Sequence, residues 1–279
     1  MPKDCVYLNG TLVKENQGVI LAKDQGLLFG YGVFETVRIY QSRPFMLEEH
    51  LKRLLKALQI MEMEMPPLMD WEADIEMYIK AADLRDGVLR ITMTKGFDEP
   101  NIIFTHRPVG YSASDYANGF TLKTSAIRRN ASSPVTYVKT LNRMDCVLAK
   151  REAALAGYNE ALFLNTENIL SECSSSNIFF LRGNTLFTPA ISCGLLNGIA
   201  RELVATKIAG ELGFSVEEGA FSTEELYQAD EVFITNSVIQ VMPIVRVDDR
   251  VIGSGLPSPQ VNRIAERYGK HIRERKASV

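Results

Sequence analysis

The 279-residue chain carries 31 Lys and Arg against 34 Asp and Glu, a formal net charge of −3 with the signs interspersed, so no nucleic-acid partner is expected. It is 46% hydrophobic and 23% charged, an ordinary globular composition, and no run approaches the roughly 18 to 20 apolar residues that cross a bilayer, so no membrane partner is expected either. The length exceeds one ordinary core, which predicts two domains. The opening Met-Pro-Lys-Asp-Cys lacks the apolar run of a secretion signal, and a cytoplasmic location is expected. Cys5, Cys146, Cys173 and Cys193 form no C-x-x-C pair and the three histidines no close set, so neither a disulfide framework nor a metal site is expected.

In chain order, residues 6–8 and 11–13 read as a hairpin around Asn9-Gly10. Val33 to Tyr40 has the β-branched and aromatic content of a strand. Leu47, Leu51, Leu54, Leu55 and Leu58 form the stripe of an amphipathic helix. A second helix is predicted over 67–82, opened by Pro66-Pro67, and strands over 87–94 and 101–106. Residues 108–119 are small, polar and without period, which predicts the interdomain linker. Beyond it come a strand at 120–126, a helix marked by Met144, Val147, Leu148 and Leu155, and strands at 160–165 and 177–182. A helix over 198–212, strands within 230–247 and a last helix over 259–274 complete the chain. Strands in runs with helices between them predict an α+β fold with much antiparallel pairing. The boundaries drawn are 1–112, a linker at 113–118, and 119–279.

Lys139 precedes a helical pattern, and Glu172 opens a Ser/Asn-rich strand 33 positions later. An amine able to hold an aldehyde and an anion able to keep a ring nitrogen protonated are what pyridoxal phosphate (PLP) chemistry needs. Gly194 to Gly198 opens a helix whose first amides, at Ile199 and Ala200, would suit an anion, although most helix starts bind nothing. Ser237 would add a hydroxyl at a strand end. Arg53 flanks the leucine stripe, where its fork would suit a phosphate; alone, a snorkelling surface arginine is the commoner fate. The glycines at 26, 30 and 32 precede a strand, the reverse of the dinucleotide-binding order, and no G-x-S-x-G occurs.

The blocks Gly30 to Arg38, Glu49 to Leu54, Lys139 to Arg143, Glu172 to Phe179 and Gly198 to Arg201, with Ala229 to Asn236, run in this order nearly end to end. In them the chain resembles the class IV aminotransferase family, fold-type-IV PLP enzymes that include branched-chain aminotransferases, D-amino acid aminotransferases and 4-amino-4-deoxychorismate lyases. The resemblance implies a two-domain D-amino acid aminotransferase-like architecture, a small-molecule substrate and a homodimer, with residues 119–279 as the PLP-binding domain. It implies that Lys139 is the Schiff-base lysine and Glu172 pairs with the pyridine nitrogen. Arg53, the amides of Ile199 and Ala200, and Ser237 would hold the phosphate.

Within the family, Thr36, the sequence Leu141-Asn142-Arg143 after the lysine and the run Asn236 to Pro243 resemble the lyases, which release pyruvate and form p-aminobenzoate for folate synthesis. On that resemblance Thr36 relays a proton and Asn236 contacts a substrate carboxylate or hydroxyl. Some lyases carry an arginine where this chain has the acidic Phe97-Asp98-Glu99-Pro100, leaving Arg90, Lys95 or Arg38 to supply the substrate-binding cation. Thr36 also reads as an ordinary strand threonine and Asn236 as a turn residue. Transamination of D-amino or branched-chain amino acids is the alternative.

Overall fold

A computed structural model describes residues 4–65 and 70–277. They fall into two compact units, Met1–Gly110 with Val138–Asn142, and Tyr111–Tyr137 with Arg143–Val279.

In the first unit β1 (Cys5–Leu8) and β2 (Thr11–Lys14) form the expected hairpin, with Asn9 and Gly10 both at positive φ as a two-residue turn requires. After them come α1 (Gln25–Phe29), β3 (Gly32–Tyr40), β4 (Arg43–Pro44), α2 (Leu47–Ile60), α3 (Trp71–Ala81), β5 (Asp86–Thr94) and β6 (Asn101–Arg107). The strands make one antiparallel sheet in the order β2-β1-β6-β5-β3-β4. The leucine stripe of α2 packs on it, burying Leu54 and Leu58 with Val33, Val37 and Ile39 of β3. The Asp70 side chain accepts the Ala73 amide and starts α3 there; residues 66–69, where the sequence put the helix start, lie outside the described residues.

The unit takes in a segment that sequence order assigns to the C-terminal part. Leu141 donates its amide to Gly32, Phe34 donates to Lys139, and Thr140 bridges Val33, so 139–141 lines the start of β3 as a short edge strand. Val138 anchors it in the core. Burial of Val138 and these backbone bonds separate Lys139 from the 119–279 segment that the linear boundary gave it.

The second unit runs α4 (Ala113–Asn118), β7 (Phe120–Arg129), α5 (Met144–Leu155), β8 (Glu160–Asn165), β9 (Leu170–Cys173), β10 (Asn177–Arg182) and β11 (Thr185–Pro189). It continues with α6 (Ile199–Leu203), a π-helical stretch at Val204–Ile208, α7 (Ala209–Leu212), β12 (Ser215–Gly219) and α8 (Thr223–Tyr227). The chain then forms β13 (Glu231–Asn236), β14 (Gln240–Val247), β15 (Arg250–Val251) and α9 (Pro259–Ala277). Its sheet has the order β12-β11-β10-β13-β14-β7-β8-β9, with β15 on β14. Pairing is parallel at β11/β12, β14/β7 and β7/β8 and antiparallel elsewhere.

Two expectations change here. The stretch read as a periodless linker contains α4, because Ser112 and Asp115 form a reciprocal capping box that starts a helix. In α5 the residues that marked the helix form its outer face: Met144, Val147, Leu148 and Leu155 are exposed, while the small Cys146, Ala149 and Ala153 pack on Ala161 and Phe163. No helix among the described residues is long and apolar enough to cross a membrane.

Candidate active site

Side chains along a strand alternate between faces, so Val33, Glu35, Val37 and Ile39 of β3 share the side that packs on α2. A carboxylate among those aliphatic residues needs partners, and α2 supplies them three positions apart on one helical face. Arg53 donates Nε to Glu35 Oε1 and Nη2 to Oε2, both at 2.7 Å. His50 Nδ1 stands 2.7 Å from Oε2, and because a carboxylate only accepts, this nitrogen carries the proton. Burial alone would raise the Glu35 carboxyl, but the Arg53 charge and hydrogen bonds, helped by His50, outweigh it and hold Glu35 well below the usual carboxylate range. Burial pushes His50 downward, and the Arg53 and Lys139 cations add to this against the pull of Glu35. The cluster is therefore an ionised Glu35 with one arginine and a neutral imidazole.

On the opposite side of β3 lie Phe34 and Thr36, both paired across the sheet with β5, where Thr36 stands directly opposite Arg90. The Arg90 guanidinium sits 3.8 Å from the Phe34 ring centroid and the Lys139 ammonium 4.7 Å from the same ring. Arg90 also donates Nε to Thr92 Oγ1 at 3.1 Å. The ring thus gathers an amine and a guanidinium, with a hydroxyl two residues along the strand. Arg38 is not available for such a role: it pairs with Asp86 and donates to the carbonyls of Ile39 and Gly87.

In the second unit Glu172 is buried on β9. Its Oε1 accepts Arg129 Nη2 at 2.9 Å and its Oε2 accepts the Leu196 amide at 3.2 Å. The Leu196 loop is further tied to the sheet, since Ser171 Oγ donates to Gly194 O at 2.7 Å and Asn177 Nδ2 to Leu196 O at 2.9 Å. The loop delivers the chain to Gly198, the N-cap of α6, which no side chain caps. Asn177 Oδ1 occupies the place that a Cβ would take on Gly198, so only glycine fits. Thr235 pairs with Asn177 and shares its face; its Oγ1 is buried without a partner among the described residues. Ser237 follows at the turn between β13 and β14.

Asn236 is committed to that turn. Its Oδ1 accepts the amides of Val238 and Ile239 at 2.8 and 2.7 Å, and its Nδ2 donates to Ser175 O. The substrate contact expected of its side chain competes with these bonds.

The amino-transferase class IV family profile matches residues 32–247. The chain is 30% identical to the D-alanine aminotransferase of Bacillus licheniformis, over 93% of this chain and 94% of that one. It is 29% identical to the aminodeoxychorismate lyase of Bacillus subtilis, over 89% and 88%. The solved structure of a T.th. branched-chain amino acid aminotransferase with pyridoxamine 5′-phosphate superposes with a TM-score of 0.89 at 27% identity, covering 98% of this chain and 94% of that one. The chain belongs to the class IV aminotransferase family.

As a member of that family it is a PLP-dependent enzyme with an α+β, fold-type-IV architecture. The residues present fit the cofactor. No side chain caps the start of α6, and the Thr235 hydroxyl, buried without a partner among the described residues, lies on the same strand face as Asn177. Each unit holds a group of a kind that the cofactor's chemistry calls for, the strand-edge amine of Lys139 in the first and the buried carboxylate of Glu172 in the second. The sequence reading missed Glu35 and Arg129 as partners of the charged groups. Glu35 had a signal, an acid in the inward register of an apolar strand; Arg129 had none, because a register shift between Thr124 and Arg128 breaks the alternation before it.

Proposed function

We propose that this enzyme is a 4-amino-4-deoxychorismate lyase, releasing pyruvate and forming p-aminobenzoate for folate synthesis. The observation that carries the reading is the grouping of Lys139, Thr36 and Arg90 around Phe34 on one side of β3. Likeness to the Bacillus subtilis lyase supports it.

In this reading Lys139 would hold the cofactor and Glu172 would pair with its ring nitrogen. Arg53, the amides of Ile199 and Ala200, and Ser237 hold its phosphate. Bound there, PLP supplies an electron sink for the pair released when a proton leaves the substrate carbon next to nitrogen. Lys139 would take that proton. Thr36 passes a proton to the departing enolpyruvyl group as its C–O bond breaks, and the remaining ring becomes aromatic. Arg90 holds a substrate carboxylate with its planar fork, and the Phe34 ring limits where that fork can turn.

Transamination of D-amino or branched-chain amino acids is the second reading, favoured by the engagement of Asn236 in its own turn. The exposed apolar face of α5 supports a homodimer in either case. The protein is proposed to act in the cytoplasm. Purified enzyme incubated with aminodeoxychorismate, beside a panel of amino-acid and keto-acid pairs, separates the two. Pyruvate and p-aminobenzoate without a keto acid are expected; amine transfer that depends on a keto acid, with no p-aminobenzoate, would replace the lyase by the transaminase.

A further inference from the structure

Arg129 is buried at the end of β7, its guanidinium 4.5 Å from the Phe163 ring centroid. Burial of a cation among aromatic and small residues is costly unless it is matched. The match is Glu172 on one nitrogen and Asp145, at the start of α5, on the other, with Cys146 Sγ 3.0 Å from the nitrogen that also meets Glu172. Arg143, the other cation whose field reaches Cys146, donates to Ser174 O at 2.7 Å. The side chains of Arg129 and Glu172 are 7% and 5% exposed, against 35% for Asp145. A carboxylate can accept about four hydrogen bonds. Arg129 and the Leu196 amide take one on each oxygen and so fix the plane of the group while leaving it room for one more donor.

Glu172 is the more buried of the two acids that share Arg129, so it is the one whose orientation the guanidinium sets, while the 35% exposed Asp145 meets water as well.

We propose that Arg129 is the positioning residue for Glu172: it holds this carboxylate in the orientation that meets the cofactor's ring nitrogen, while Asp145 offsets the arginine's own charge. The proposal rests on the reading that Glu172 meets that nitrogen. Through the Leu196 amide the same contact steadies the loop that leads into α6, so its loss weakens cofactor binding as well as ring protonation.

The test uses the full-length protein as apoenzyme titrated with PLP, in wild type, Arg129→Met, Arg129→Gln, Arg129→Lys and Glu172→Gln. Visible absorbance of the bound cofactor and the PLP dissociation constant are read across pH. Arg129→Met and Arg129→Gln are expected to weaken PLP binding on the order of tenfold or more and to change the visible absorbance of the bound cofactor, with no further loss when Glu172→Gln is added. Arg129→Lys should restore part of the affinity and the absorbance, which a purely structural role would not predict. If the uncharged variant that folds binds PLP with wild-type affinity, spectrum and pH dependence, Arg129 does not position Glu172 and the proposal falls. Should Glu172→Gln itself match wild type in affinity and spectrum, the assignment of Glu172 to the ring nitrogen fails instead.

Discussion

Glu35→Gln tests whether the buried cluster behind Arg53 is an ion pair that the first unit depends on. Gln keeps an oxygen for His50 but gives up the charge opposite Arg53 and one of its two short acceptors. Breaking a fully buried pair costs about 3 to 5 kcal/mol, because the partner charge is left uncompensated. Here the Arg53 side chain is 18% exposed and regains some water, so the lower end, about 3 kcal/mol, is expected. For a unit of this size that corresponds to a fall of roughly 10 °C in Tm. Trp71, the sole tryptophan, lies on α3 with its ring 6.4 Å from that of Phe104, so its fluorescence in urea reports this unit. The measurement belongs on apoenzyme near neutral pH, since bound PLP would add its own linkage stabilisation. In a cycle with Arg53→Met, the double variant should lose less than the two single losses combined, by about 1 kcal/mol or more. A Glu35→Gln protein within about 0.5 kcal/mol of wild type would refute the reasoning, since it would mean the pair contributes no more than a surface contact.

Lys139→Ala is expected to abolish both the visible absorbance gained with PLP and turnover; full activity in this variant would remove Lys139 from the chemistry. Burial depresses His50, His106 and His271 from the usual 6.5, so the unfolded chain binds more protons below that value. Their contribution is complete above pH 6.5 and lost as pH falls through the lower folded values, and Glu35 adds to the loss below its ordinary 4.5. Tm should therefore decline steadily on acidification from neutrality, and a Tm independent of pH down to about 5 would contradict these environments. Asn236→Ala should cost about 1 to 2 kcal/mol, by losing a shared acceptor for two turn amides, and Asn236→Asp should recover it. Unchanged stability with a large rise in KM would instead assign Asn236 to the substrate.

What sequence periodicity conveyed was local burial. The Asn-Gly turn of the hairpin, the β-branched and aromatic content of β3 and the leucine stripe of α2 are each local signals, and the structure bears them out. The same rule misleads where a helix has an apolar side that its own unit leaves exposed. In α5 the large residues point outward because Ala149 and Ala153 allow close approach to β8, so side-chain size and not polarity decides the packed face. Topology was less legible still: nothing near Lys139 announces that residues 139–141 leave the second unit to line β3, because a strand edge is filled by backbone groups that every sequence has.

The charged groups show why site residues were easier to name than to understand. Lys139, Glu172 and Arg53 stand in recognisable runs, but the groups that set their charge lie elsewhere: Glu35 is 15 and 18 positions from His50 and Arg53, and Arg129 is 43 from Glu172. Each carboxylate is buried and each is matched by an arginine: the Arg53 fork grips both oxygens of Glu35, whereas Arg129 takes one oxygen of Glu172 and the Leu196 amide the other. Desolvation makes such pairing obligatory for any ion placed in a core, whatever its purpose. The pairing alone therefore does not mark chemistry. Glu172 differs in that its arginine is shared with a second acid, the 35% exposed Asp145, so that Arg129 spends only one nitrogen on it. At Glu35 the count closes, one acid to one arginine with a neutral histidine, which makes that cluster a brace for Arg53 on the side of β3 opposite Phe34, where Lys139 and Arg90 meet the ring and the proposed chemistry would take place.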